Sequence, residues 1–295
     1  TRYSGMNIKQ INDRANGSRW IRPLKWAISA RVHKTILSIL KRDRRKSIYA
    51  IHGMQRTGNH AIINWIMKGS MRPGILCNDL SHGDVPMHAA IKKYVHGRGR
   101  SMILSSYEDR SISKVPVIPM LDWYGPHADR TTILIIRDPF NLFASRYVWK
   151  HTQGEWFRNN LEYRAQVIAT WKEHAHRALS WSSVPSMNGT GLLVVNYNKW
   201  VVDVDYRNTC SLTLGLELSD AGLNEISGLG GGSSFHGTST VPKTVNSYNQ
   251  RFQALLGDPV FEHIFKDPEL WTLSDALFGN IPGTEEFRST SVDPV

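Results

Sequence analysis

An apolar run, Ile48-Tyr49-Ala50-Ile51, leads into two glycines five apart, Gly53 and Gly58, and then into a segment with an apolar helical face, Ala61-Ile62-Ile63-Asn64-Trp65-Ile66. A strand, a glycine-rich turn and a helix in that order, when repeated along a chain, argue for a parallel sheet with helices packed on it. The glycine spacing is that of a phosphate-binding P-loop, which ends in Gly-Lys-Ser/Thr. Here the ending is Gly58-Asn59-His60, and the cation sits inside the loop as Arg56. The Lys and the hydroxyl of a P-loop serve the β/γ-phosphates and Mg²⁺. Their replacement points to an anionic nucleotide used without a metal.

The rest of the chain alternates in the same way. The pattern predicts strands at Ser47–His52, Gly74–Cys77, Ser101–Ser105, Thr131–Ile136 and Gly191–Asn196. Helices are predicted over Gly58–Lys68, Val85–Tyr94, Pro139–Lys150 and Tyr163–Trp181, with Asp138 as cap and Pro139 at the first turn of the third. The fold class is therefore α/β, a parallel β-sheet flanked by helices in a three-layer, P-loop NTPase-like architecture. Ligands of such sheets bind at the carboxyl ends of the strands.

Two of those ends carry cations. One is Arg56 in the loop. The other is Arg137, which closes the apolar strand Thr131–Ile136 and is followed by Asp138-Pro139 and, eight residues on, by Ser145. A strand-end acid would hold Mg²⁺ in a P-loop NTPase. A strand-end arginine is unfavourable to bury without an anion, so it marks a second phosphate site with Ser145 reaching it from the helix. An Arg137–Asp138 pair beside the helix cap is the plainer alternative.

The pair of motifs, 84 residues apart from Gly53 to Arg137, resembles the sulfotransferases that use 3′-phosphoadenosine 5′-phosphosulfate. Gln55-Arg56-Thr57-Gly58-Asn59-His60 stands where that family has its 5′-phosphosulfate loop. Arg137-Asp138-Pro139 with Ser145 matches its 3′-phosphate motif, and Val194-Val195-Asn196-Tyr197-Asn198 is similar to its strand ending in Tyr-Glu, with Asn198 in place of the Glu. The resemblance spans roughly residues 47 to 215. It implies metal-independent transfer of a sulfuryl group to a hydroxyl or amine, on a small-molecule or glycan acceptor. It implies donor-binding roles for Gly53, Gln55, Arg56, Thr57, Gly58, Asn59, His60, Arg137 and Ser145, with Arg56 also neutralising the leaving oxygen. The acceptor needs a general base, for which Glu108, then His82 and Asp79, are the candidates. The sequence departs from the family at Asn59 and His60, where hydroxyl residues are usual. No Arg-Lys-Gly loop is recognisable near the C-terminus. Ser233 and Ser234, in Gly231-Gly232-Ser233-Ser234, lie where it is expected, with Lys243 beyond them. Trp65 is a candidate to stack on adenine or a core residue, and Trp123, Tyr124, Trp149 and Trp156 are candidates for an acceptor cleft.

Charge divides the chain in two. Residues 1–46 carry 13 Lys/Arg against two acids, whereas residues 47–295 hold 23 of each. The net charge of +11 thus belongs to a basic N-terminal arm, residues 1–46, and not to the α/β domain, residues 47–295. The arm has a helical stripe (Ile21, Leu24, Ile28, Val32, Ile36) that suits packing on the core or a partner, or lying on an anionic membrane surface through residues 20–46. Specific nucleic-acid binding is not expected. Two cysteines make no disulfide framework and no apolar run reaches the length of a membrane span, so a cytoplasmic or membrane-peripheral protein is expected. His174 and His176 would leave a helix on different faces and make no metal pair. A P-loop kinase or NTPase with a degenerate loop, or a non-catalytic module tethered by the arm, are the competing readings.

Overall fold

The computed structural model describes residues 47–70, 74–80, 102–112, 129–182, 190–216, 220, 223 and 249–289. The basic arm, the predicted helix Val85–Tyr94, and His82, Trp123, Tyr124, Ser233, Ser234 and Lys243 lie outside the described residues.

Five strands, β1 (Ser47–Gly53), β2 (Gly74–Cys77), β3 (Met102–Glu108), β4 (Asp129–Ile136) and β5 (Thr190–Asn196), form one sheet in the order β2-β3-β1-β4-β5, with every pairing parallel. β1 is central and buried along its whole length, as is β3. That is why these strands read as continuous apolar runs. The register sets Gly53 opposite Glu108 on one side and Ile135 on the other. The carboxyl ends of β1, β3 and β4 therefore finish on one edge of the sheet.

Helices cover both faces. On one lie α1 (Asn59–Gly69), α5 (Tyr197–Val202) and α6 (Val204–Thr213), whose Ile62, Ile66, Trp200 and Cys210 pack with Ile133 and Ile135 of β4. On the other lie α2 (Pro139–Tyr147), α3 (Thr152–Asn159) and α4 (Leu161–Ser182), whose Phe140, Phe143, Phe157 and Trp171 pack with Leu134 and Ile136. The period of two along β4 thus divides its side chains between two cores. Trp65 is buried in the first core, edge-on to Trp200, which makes it a packing residue. Cys77 and Cys210 are both buried free thiols.

Three expectations change. β3 runs on to Glu108, beyond the predicted end at Ser105, because β1 pairs with it to its last residue. The helix from Pro139 stops at Tyr147, and a separate α3 begins at Thr152 with His151 as its cap. The segment from Pro282 to Val295 is polar by composition and reads as weakly ordered, yet within it Glu285–Ser289 forms α9, after α7 (Pro259–His263) and α8 (Pro268–Phe278). The reason is Phe287, which is buried against Phe140, Phe252, Phe261 and Phe265. Among the described residues no helix is long and apolar enough to cross a membrane. If Phe287 fastens the C-terminal segment, Phe287→Ala lowers unfolding stability by about 3–5 kcal/mol in urea titration. A change below about 1 kcal/mol would mean the segment is not part of the cooperative core.

Candidate functional site

The turn between β1 and α1 is built to hold backbone N–H groups outward. Arg56 and Gly58 both have positive φ, 74° and 101°, and Thr57 N–H closes the turn on Met54 O at 3.1 Å. A left-handed arginine is a strained choice that costs on the order of 1–2 kcal/mol. Gly58 is required twice over: its φ suits glycine, and a Cβ there would lie 2.1 Å from the Tyr197 ring. α1 has no side-chain cap. The N–H groups of Asn59 and His60, at its first turn, have no intrahelical acceptor and form the positive end of the helix dipole.

Not every loop donor points that way. The Gln55 N–H donates to Asp109 Oδ1 at 3.1 Å, and Arg146 pairs with the same oxygen. The Thr57 hydroxyl lies 2.6 Å from Met54 O and 2.7 Å from Asn59 Oδ1, so its single proton is held inside the loop. The Asn59 amide also turns inward, donating to Met54 O and to Glu108 Oε1, both at 3.1 Å. The Thr57 and Asn59 side chains thus turn their hydrogens inward, whereas the His60 ring is partly exposed. Its Nε2 lies 3.1 Å from Asn78 Oδ1, and its side chain is 21% exposed.

The second strand end holds a cluster of cations. Arg137, 2% exposed at the end of β4, donates from Nη1 to Arg56 O at 3.1 Å and to Ser145 Oγ at 3.3 Å. The first contact ties this site to the loop on β1. Ser145 comes from the second turn of α2 and donates back to Asn141 O at 2.7 Å. α2 is itself fixed by Asp138, whose carboxylate accepts from Asn141 N at 2.8 Å. Asn198 meets Asp138 twice, donating to its Oδ2 at 2.8 Å and accepting its N–H at 3.3 Å. The residue that replaces the expected Glu thus joins the ends of β4 and β5.

Two residues of this cluster were not foreseen. Arg251, from the short 3₁₀ turn Arg251–Leu255, donates from Nη1 to Ser145 Oγ at 2.8 Å, and its N–H donates to Asn141 Oδ1 at 2.7 Å. It reaches the site from 106 residues away, and no local pattern separates it from the other Lys and Arg residues. Tyr197 stacks its ring 5.3 Å from the Arg137 guanidinium and roofs Gly58. Its place directly after the β5 end was the available signal.

The electrostatics follow from burial. Arg137, Arg251 and Arg56 are all pushed below the ordinary guanidinium value. Loss of solvent is the largest cause in each, and the charge of Arg137 adds to it for Arg56 and Arg251. Arg56 rests on Trp149, with Cζ 5.2 Å from the ring centroid. A bound anion would offset this mutual repulsion at the place where Arg137 and Arg251 meet. Across the loop, burial pushes Glu108 above the usual carboxylate value, against the Asn59 hydrogen bond and the nearby His60. Asp79 is more open: its side chain is 40% exposed, and it lies 3.9 Å from Arg110 Nη2. Trp156 is 50% exposed beside Tyr163. His174 is buried on Arg110 O and His176 lies on the surface against Glu269. They face different ways.

No protein-family model matches the chain, and no curated protein matches it. Among solved structures it is similar to mouse sulfotransferase SULT7A1 complexed with PAP, at 14% identity over 86% of this chain and 93% of that one, with a TM-score of 0.45. It is also similar to the sulfotransferase domain of the Synechococcus PCC 7002 olefin synthase, at 14% identity over 85% and 97%, with a TM-score of 0.37.

If Gly58 is fixed by both its φ and the Tyr197 ring, Gly58→Ala loses at least about 1 kcal/mol of stability in urea unfolding. An unchanged midpoint would mean that the ring and loop give way freely.

Proposed function

We propose that the protein transfers a sulfuryl group from 3′-phosphoadenosine 5′-phosphosulfate to a hydroxyl or amine of a small-molecule or glycan acceptor, without a metal ion. The observation that carries this reading is the meeting of Arg137 and Arg251 on Ser145 Oγ, one strand away from the outward N–H groups of α1. Two anion sites on adjacent strand ends suit a nucleotide with phosphates at both its 3′ and 5′ positions. In this reading Arg137, Arg251 and Ser145 hold the 3′-phosphate, and the N–H groups of Gly58, Asn59 and His60 hold the 5′-phosphosulfate. Tyr197 walls the space between them.

The reaction asks for two things besides binding. An acceptor oxygen attacks sulfur and forms the new S–O bond. The bond from sulfur to the 5′-phosphate oxygen breaks, and its electron pair stays on that oxygen. Arg56, on the loop itself, meets the charge that develops there. The acceptor's proton needs a base, and Glu108 is the best placed. It ends the strand beside the loop, it is buried, and its raised pKa keeps it a stronger base than an exposed carboxylate. Asp79, exposed and drawn towards Arg110, is the weaker candidate.

Calorimetry checks the binding half. Adenosine 3′,5′-bisphosphate should bind without Mg²⁺, and Arg137→Ala and Arg251→Ala should each weaken it about tenfold or more, as expected for loss of a charged hydrogen bond. Binding of ATP that requires Mg²⁺, with none of the bisphosphate, would overturn the reading in favour of a nucleoside-triphosphate enzyme. For the chemical half, Arg56→Ala should lower the transfer rate by on the order of 10²–10³ with bisphosphate affinity less affected. Equal loss of both would reduce Arg56 to a binding residue.

A further inference from the structure

We infer that Asn59 is a positioning residue: its side chain ties the carboxylate of Glu108 to the donor loop and favours the charged form that accepts the proton. The inference rests on the reading of Glu108 as the base.

An asparagine amide has two N–H donors and one carbonyl acceptor. At Asn59 both donors are committed, one to the loop carbonyl Met54 O and one to Glu108 Oε1, each at 3.1 Å. The carbonyl Oδ1 lies 2.7 Å from the Thr57 hydroxyl. This partner set also fixes which end of the amide is nitrogen, since Met54 O and the carboxylate only accept. Nothing of the side chain is left for a bound anion. Asn59 would contribute to the donor site through its main chain alone.

The strand next to it is shaped for this amide. A Cβ on Gly53 would lie 2.2 Å from Asn59 Oδ1, so the glycine that starts the loop makes room for the asparagine after its second glycine. Gly53 stands opposite Glu108 in the β1–β3 register. An amide resting over Gly53 is therefore one strand spacing from the carboxylate it holds. A serine or threonine at position 59 is too short to span from Met54 O to Glu108, and carries one donor where the asparagine amide has two.

The electrostatic surroundings of Glu108 define what Asn59 does. Arg56 faces it from the loop and His60 from α1, and both favour the charged carboxylate. Asp79, after β2, and Asp109, next in the chain, oppose it, as does burial. The Asn59 hydrogen bond is the direct contact that offsets burial. Without it the carboxylate keeps its proton to higher pH, and less of it is available as a base at neutral pH.

The test is a carbon-13 NMR titration of the Glu108 carboxyl in protein labelled at glutamate, assigned by loss of the signal in Glu108→Gln. Wild type, Asn59→Ala and the isosteric Asn59→Asp are titrated with and without saturating adenosine 3′,5′-bisphosphate. Asn59→Ala should move the Glu108 midpoint up by about one pH unit. Asn59→Asp should move it further, because it sets a second carboxyl against the first. The isosteric variant keeps the test open if the alanine variant does not fold. Midpoints that stay at the wild-type value in both variants overturn the inference. Absence of bisphosphate binding in wild type sinks the sulfuryl-transfer reading instead, and the titration of the free protein still decides whether Asn59 holds Glu108.

Discussion

Two buried guanidinium groups, Arg137 and Arg251, share one neutral oxygen, Ser145 Oγ. Burying a cation is costly, and burying two side by side is costlier. A frame of hydrogen bonds nevertheless holds the participants in place. Asp138 caps α2, the Asn141 carbonyl takes the Ser145 proton, the Asn141 amide oxygen receives the Arg251 N–H, and Trp171 donates to Arg137 O at 2.9 Å. α2 is thus a rigid template whose successive turns present a cap, an anchor and a hydroxyl. The C-terminal segment depends on the same template, since Phe252 follows Arg251 directly into the aromatic core around Phe140. Cation cluster and core hold each other in place.

The sheet carries that arrangement to the loop. β1 lies between β3 and β4, so the loop after Gly53 has Glu108 on one flank and Arg137 on the other. The Arg137 contact with Arg56 O and the Asn59 contact with Glu108 cross these two flanks. The loop is therefore held on its cationic side by a main-chain acceptor and on its carboxylate side by a side-chain amide. The strain of a left-handed Arg56 persists because both flanks fix the turn. In the proposed sulfuryl transfer, binding and proton acceptance meet in a single turn of chain with a cation on one side and a carboxyl group on the other.

Much of this was legible in the linear chain where the physics is local. Glycine spacing after an apolar run marks a turn with outward N–H groups, and Asp138-Pro139 marks a helix start that the structure places at Pro139. Eight residues from Arg137 to Ser145 bring a second-turn hydroxyl back to the strand end, and the two do meet. What was not legible depends on contacts between distant segments. Arg251 has no motif around it. Thr57 and Asn59 read as loop donors until Met54 O and Glu108 take their hydrogens. Phe287 lies in a polar tail by composition and in the core by packing.

The alternation of strands and helices, the two cationic strand ends, and the contrast between a basic stretch over residues 1–46 and balanced charge over residues 47–295 could all be read from the linear chain. These follow from periodicity, turn chemistry and charge count, which act over a few residues. Packing, by contrast, sets which loop donors are spent internally, which arginine joins Arg137, and which carboxylate stands beside the loop. Strand order and register settle those, and they are set by burial of the two cores on either face of the sheet. A hydrogen-bond donor has one direction, and only the packed chain decides whether that direction meets its own interior or a ligand.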